Sequence, residues 1–199
     1  MNRVPGSPAE GAVIIPFAGH TPRVAADAFI APGVVLIGDV EVGPGASIWF
    51  GSVLRGDVGP IRVGARTNIQ DGTIVHVDSH TYPTLIGADV TIGHCVLIHA
   101  CTLEDGAFVG MRATVMDGAV VEGGGMVAAG ALVTPGKRVR RGELWAGSPA
   151  KMWRALTQDD LDGFKSTVEH YAEKAHQFRA AVATAGLAPN PRQRPPRDK

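Results

Sequence analysis

The residues best suited to chemistry in this chain are three histidines close in sequence, His76, His94 and His99, preceded by Arg55, Asp57, Gln70 and Asp71. Three imidazoles can hold a divalent metal and leave a fourth position open to water, the arrangement of a catalytic rather than a structural site. A lone histidine is usually structural, so this reading depends on whether the fold brings the three into a coupled register.

The fold is legible as a period. Eighteen aliphatic residues recur six apart from Val24 to Val133, through Ile30, Leu36, Val42, Ile48 and Leu54, with breaks only around the histidine region. The fourth residue after each is mostly small or β-branched, as at Ala28, Ala46, Ser52, Thr67 and Thr73. Such a hexad makes one short strand and one turn, with the aliphatic side chain inward and the small residue at the corner. Three hexads per coil predict an all-β fold, a single-stranded left-handed parallel β-helix of about six coils and about 29 Å in height. A β-sandwich would instead show period-two alternation between turns, which is absent here.

Hexads three apart share a face, and this places the polar residues. Val75 opens the ninth hexad and Ile98 the twelfth, so His76 and His99 follow inward residues on one face, one coil apart. Two imidazoles stacked about 4.8 Å apart can converge on one metal with bonds of about 2.0–2.1 Å. His94, in the eleventh hexad, belongs to a different face. Identical prisms around a threefold axis would bring the His94 face of one against the His76/His99 face of the next, a three-histidine site between subunits. The same arithmetic predicts Arg55 one coil below His76 and Gln70 one coil below His94. Arg55 and Asp57 read either as an ion pair across a corner or as a pair at a subunit contact, and Gln70 and Asp71 either as a turn or as part of the site.

Composition sets limits. With 45% apolar residues and 26 glycines the chain can bury one sizeable core built with many tight corners. Basic and acidic residues balance at 19 each, so no nucleic-acid or membrane footprint is expected over the whole domain. Two cysteines, no basic-then-apolar leader and no long apolar run predict a cytoplasmic protein without a disulfide framework. Cys95 and Cys101 read as small buried fillers. The β-helix is expected over 12–135 and a connecting segment over 136–157. An apolar stripe at Leu161, Phe164, Val168, Tyr171, Ala175, Phe178 and Val182 predicts an amphipathic C-terminal α-helix over 158–185. The Pro- and Arg-rich residues 186–199 read as a disordered tail.

RGD at Arg55 to Asp57, NIQDG at Asn68 to Gly72, His76 and the GHxxxxH run from Gly93 to His99 resemble the γ-class carbonic anhydrases and their bacterial relatives over roughly residues 12 to 180. The hexads and Gly147-Ser148-Pro149-Ala150-Lys151 are shared with hexapeptide acyltransferases. The resemblance implies a homotrimer with zinc or iron(II) at each subunit interface, ligated by His76 and His99 of one chain and His94 of the next. It implies that Arg55 and Asp57 form an interface ion pair, with Asp71 also an interface or structural residue, that Gln70 positions metal-bound solvent, and that Tyr171 reaches the site. The implied reaction is attack of metal-bound hydroxide on carbon dioxide to give bicarbonate. Where the family's archetype has two glutamates, this chain has Val58 and Ser79, which leaves Asp78, His80 and Tyr171 as candidates for moving protons. The competing readings are an acyl-coenzyme A transferase with one histidine as general base, a thioesterase, and a catalytically weak metal-binding scaffold or carrier.

Overall fold

The computed structural model describes residues 11–78 and 82–185. Short strands wind into a prism in which each coil pairs in parallel with the coils above and below. Ile30, Ile48, Ile69, Ile92, Val109 and Val127 stack in one inner column. Leu36, Leu54, Val75, Ile98, Val115 and Val133 form a second, and Val42, Val63, Ile86, Leu103, Val121 and Val139 a third. All of these are essentially removed from solvent. They are the hexad positions, and their burial is the main favourable term holding the coils together.

Among the described residues two faces join as a 12-stranded sheet, because the strands Val35–Val42 and Val53–Val63 run on around a corner. The third face is an 8-stranded sheet. The prism has about seven turns, one more than the six expected. Thr134-Pro135-Gly136, which reads as a stop, is one more corner, with Gly136 at φ 69°. Pairing continues from Val121 to Val139 and from Val127 to Trp145, where an aromatic residue replaces the aliphatic one and hides the period. At the other end Ile14 pairs with Leu36 and adds to the first coil. Strand Ala150–Ala155 then turns back antiparallel to Glu143–Gly147.

The helix spans Gln158–Ala185. Its start is capped reciprocally. The Asp160 N–H donates to Thr157 Oγ1 at 3.2 Å, and the Thr157 N–H donates to Asp160 Oδ2 at 2.7 Å. Arg154 grips the same carboxylate with both terminal nitrogens, at 2.6 and 3.0 Å. Arg154, then Thr157, hold the Asp160 pKa far below the ordinary carboxylate range. Rather than covering an open end, the helix lies along the 8-stranded face. Phe164 stacks on Phe108 with ring centroids 4.6 Å apart, and at the far end Arg179 donates to the carbonyls of Asp27 and Ala28. No helix among the described residues is long and apolar enough to cross a membrane. Residues 186–199, expected to be a disordered tail, lie outside the described residues.

The corners are packed backbone on backbone. A Cβ at Gly64 would lie 2.4 Å from the carbonyl carbon of Gly87, whereas one at Gly163, on the exposed side of the helix, would meet nothing within 4 Å. Gly64→Ala is therefore expected to lower stability by about 1–3 kcal/mol. Gly163→Ala should raise it by about 0.5–1 kcal/mol. Urea denaturation of the two variants checks this, and equal midpoints would show that the corners are not tightly stacked.

Candidate functional site

The stacking that aligns the core also aligns the outer residues of the same strands. Arg55, His76 and His99 are directly paired in successive coils, as the period predicts. Gly56 allows the corner between Arg55 and Asp57 to form, since a Cβ there would lie 2.7 Å from the Asp39 carbonyl oxygen. Arg55 then reaches Asp57 within its own chain. The His76 and His99 rings have centroids 5.1 Å apart.

Each histidine has a carboxylate beside one of its ring nitrogens. His76 Nε2 donates to Asp57 Oδ1 at 3.0 Å, His94 Nδ1 lies 2.9 Å from Asp71 Oδ2, and His99 Nδ1 donates to Asp117. Burial opposes the charge on Asp57, but the hydrogen bonds from Arg55 and His76 prevail and hold its pKa below the ordinary range. An ionised carboxylate only accepts, so these contacts assign the proton in each neutral ring and leave the other nitrogen with its lone pair. The consequence at the stacked pair is direct: His76 Nδ1 and His99 Nε2 face each other 3.2 Å apart, and with the protons on the carboxylate sides both present lone pairs.

The separation of this one pair matches what a shared metal would require. Two nitrogens bound to one tetrahedral zinc at about 2.0–2.1 Å would stand about 3.3 Å apart. Among the described residues no third His, Cys, Asp or Glu of the chain joins them in a group able to hold a metal. His94 sits instead in the corner turn after the strand Thr91–Ile92, its Nε2 lying 3.4 Å from the Tyr171 hydroxyl.

The structure alters one register assignment. Asn68 pairs with Thr91 and Ile69 with Ile92, so Gln70 continues to Gly93, and Asp71 rather than Gln70 comes beneath His94. The period itself gives this once the position within the hexad is kept, since Gln70 follows Ile69 by one residue and His94 follows Ile92 by two. Gln70 is buried and donates from Nε2 to Asn68 Oδ1 at 3.1 Å, and Asn68 in turn donates to Thr91 Oγ1 at 2.9 Å. Tyr171 is carried in by the helix and packed edge-on against Trp49 at 5.3 Å, beside Phe178 on the same indole. Burial, and then the charge of Asp71, raise its phenol pKa above the ordinary value. Asp78 follows the strand Ile74–His76, its carbonyl beside Gly59. Ser79 and His80 lie outside the described residues.

Asp117 and Trp49 were not singled out by sequence. One further step along the His76/His99 column, from Ile98 to Val115, reaches the turn that holds Asp117. Trp49 carries no sequence signal of its own, because its partners lie on the distant helix. The expectation for the cysteines holds for Cys101, which is buried, and fails for Cys95, which is exposed. Cys95 occupies the left-handed corner position at φ 58°, stacked over Gly72 at φ 70°, so its side chain is directed out of the core.

Residues 21–56 match the family model described as bacterial transferase hexapeptide, six repeats. The chain is 51% identical over 78% of its length to the protein named Gamma carbonic anhydrase 2, mitochondrial, of Arabidopsis thaliana, and spans 58% of that protein. It is 44% identical to a carbonic anhydrase of Geobacillus kaustophilus, covering 84% of this chain and 92% of that one. A crystal structure described as a hexapeptide transferase family protein from Anaplasma phagocytophilum superposes with a TM-score of 0.80 at 51% identity, over 83% of this chain and 98% of that one. The chain belongs to the γ carbonic anhydrase-like family of hexapeptide-repeat proteins.

Burial pushes the Cys101 thiol up to about 12, so almost no thiolate forms near neutrality. Iodoacetamide at mildly alkaline pH should leave Cys101 unmodified in the native protein and alkylate it in denaturant. Peptide mass spectrometry reads this directly, and rapid native labelling of Cys101 would show that its surroundings open.

Proposed function

We propose that the chain is a γ-type carbonic anhydrase, a homotrimer that interconverts carbon dioxide and bicarbonate. Zinc or iron(II) is held between subunits by His76 and His99 of one chain and His94 of the next. The observation that carries this reading is the facing pair of lone-pair nitrogens, 3.2 Å apart, on a chain related to carbonic anhydrases. When bound, such a metal supplies Lewis acidity that brings the pKa of a coordinated water to about 7.

The chain's own groups have distinct tasks in this reading. Asp57, Asp71 and Asp117 hold the three imidazoles with a lone pair free. Gln70, fixed through Asn68 and Thr91, orients the reacting solvent. A phenol is protonated at neutral pH, and the upward shift at Tyr171 reinforces this, so its hydroxyl serves as a hydrogen-bond donor at the site. Arg55 and Asp57 stand at the subunit contact. Asp78, with a carboxylate in place of the archetype's glutamates, accepts protons leaving the site.

A second reading, an acyl-coenzyme A transferase, is favoured by the description of the Anaplasma relative. It requires acyl-coenzyme A binding and no metal. Metal analysis of protein purified without chelator, followed by hydration assays on the zinc form and the anaerobic iron(II) form, separates the two. Hydration that disappears with chelator and returns with metal supports the proposal. Acyl transfer by metal-free protein overturns it.

A shared site also makes a prediction about mixing. His76→Ala and His94→Ala chains damage opposite sides of an interface, so each mixed trimer regains one intact site. Equal mixing should restore about one quarter of the wild-type metal content, counted over all random trimers. Metal content no higher than in the separate variants would show that the site is not shared.

Val58 and Ser79 replace both of the archetype's glutamates and leave Asp78 to carry protons in their stead, so proton removal is expected to limit turnover. Imidazole buffer, an external base in the useful pH range, should raise the hydration rate, with the increase saturating as buffer concentration rises. A rate independent of buffer would show that an internal group suffices.

A further inference from the structure

We propose that Asp117 is a positioning residue for the metal site, accepting the Nδ1 proton of His99 and thereby fixing this ligand with its Nε2 lone pair toward His76. The inference rests on the metal-site reading given above. It assigns a role to a residue that lies outside the RGD, NIQDG and GHxxxxH runs.

A neutral imidazole carries one proton that either nitrogen can hold, and only the unprotonated nitrogen can bind a metal. At His76 and His94 the choice is made by Asp57 and Asp71. Without Asp117 nothing would make it at His99, where a proton on Nε2 would point at His76 Nδ1 and close the pair with a hydrogen bond. The two rings would then satisfy each other and a cation would have to displace that proton. With Asp117 in place the proton is on the far side, and both facing nitrogens are acceptors.

The backbone holds Asp117 where this requires. Its corner turn is closed by the Ala119 N–H on the Met116 carbonyl. The Gly118 N–H donates to the carbonyl of Ala100, next to His99, at 2.7 Å, and the Gly136 N–H donates to the Asp117 carbonyl at 2.9 Å. Coils below and above therefore both fix the turn. Gly118, at φ 65°, leaves the space in which the Tyr82 ring packs. The side chains of His99 and Asp117 are 28% and 33% exposed, so solvent competes with the contact without removing it. An outer carboxylate of this kind changes metal affinity by about 10–100-fold.

The test uses the full-length protein and two readouts other than activity. The first is the tautomer of His99 in metal-free protein, read from long-range nitrogen-15 NMR of the imidazoles at about pH 8, where a ring of ordinary pKa is neutral. The second is zinc affinity by chelator competition. Wild type is expected to show the Nδ1–H form. Asp117→Ala should populate the Nε2–H form and lose about 10–100-fold in zinc affinity. Asp117→Asn, whose amide oxygen still accepts the proton, should keep the Nδ1–H form and lose less. Glu122→Gln, a carboxylate change at Arg138, should alter neither. If Asp117→Ala does not fold, the Asn protein carries the test through the same two readouts. Nε2–H in wild type, or wild-type tautomer and zinc affinity in Asp117→Ala, overturns the assignment. So does Nε2–H with wild-type zinc affinity in Asp117→Asn. Zinc binding with the expected tautomers but no hydration would remove the enzymatic reading and leave the role of Asp117 standing. Hydration with unchanged tautomers in Asp117→Ala would do the reverse.

Discussion

Each coil of this protein is locked to its neighbours by an inward aliphatic side chain sitting on the one below, within a parallel ladder whose spacing cannot vary. The columns through Leu54, Val75 and Ile98 leave no room for a slip of one residue, because such a slip would turn buried Val and Ile outward and polar residues in. The outward residues inherit that precision. Arg55, His76 and His99 are stacked because Leu54, Val75 and Ile98 are, and Asp57 and Asp117 then orient the two imidazoles. The glycine corners belong to the same constraint, since backbone stacks directly on backbone at Gly64 and Gly87.

On that rigid frame the chemistry is set by where protons reside. Three carboxylates face three imidazoles, and since an ionised carboxylate only accepts, each ring is left with one lone pair. Two of those lone pairs confront each other at 3.2 Å. Such an arrangement is unfavourable for bare nitrogens and favourable around a cation, which is the feature the proposed metal site rests on. The third, on His94, meets the Tyr171 hydroxyl rather than another ligand of the same chain.

The helix contributes a different kind of constraint. Its capped start at Thr157 and Asp160 and its aromatic contacts with Phe108 and Trp49 seat it along one face of the prism. Through these contacts a residue far away in sequence, Tyr171, reaches the coil corner of His94. The aromatic cluster of Trp49, Phe50, Tyr171 and Phe178 thus couples helix docking to the geometry of the site.

The sequence by itself determined the coils, the columns and the stacking of His76 on His99, because a six-residue period translates directly into height and face. It also marked the helix, whose apolar spacing is as regular. The last coil runs past Val139 to Trp145, where an aromatic residue takes the aliphatic position, and Asp71 rather than Gln70 lies beneath His94 because each is two residues beyond its inward isoleucine. Only the tertiary structure decided which carboxylate holds which imidazole, that Asp117 completes the set, that Cys95 faces outward, and that Trp49 seats Tyr171. These depend on side-chain directions at corners and on contacts between a face and a helix more than a hundred residues later in the chain, and periodicity carries no information about either.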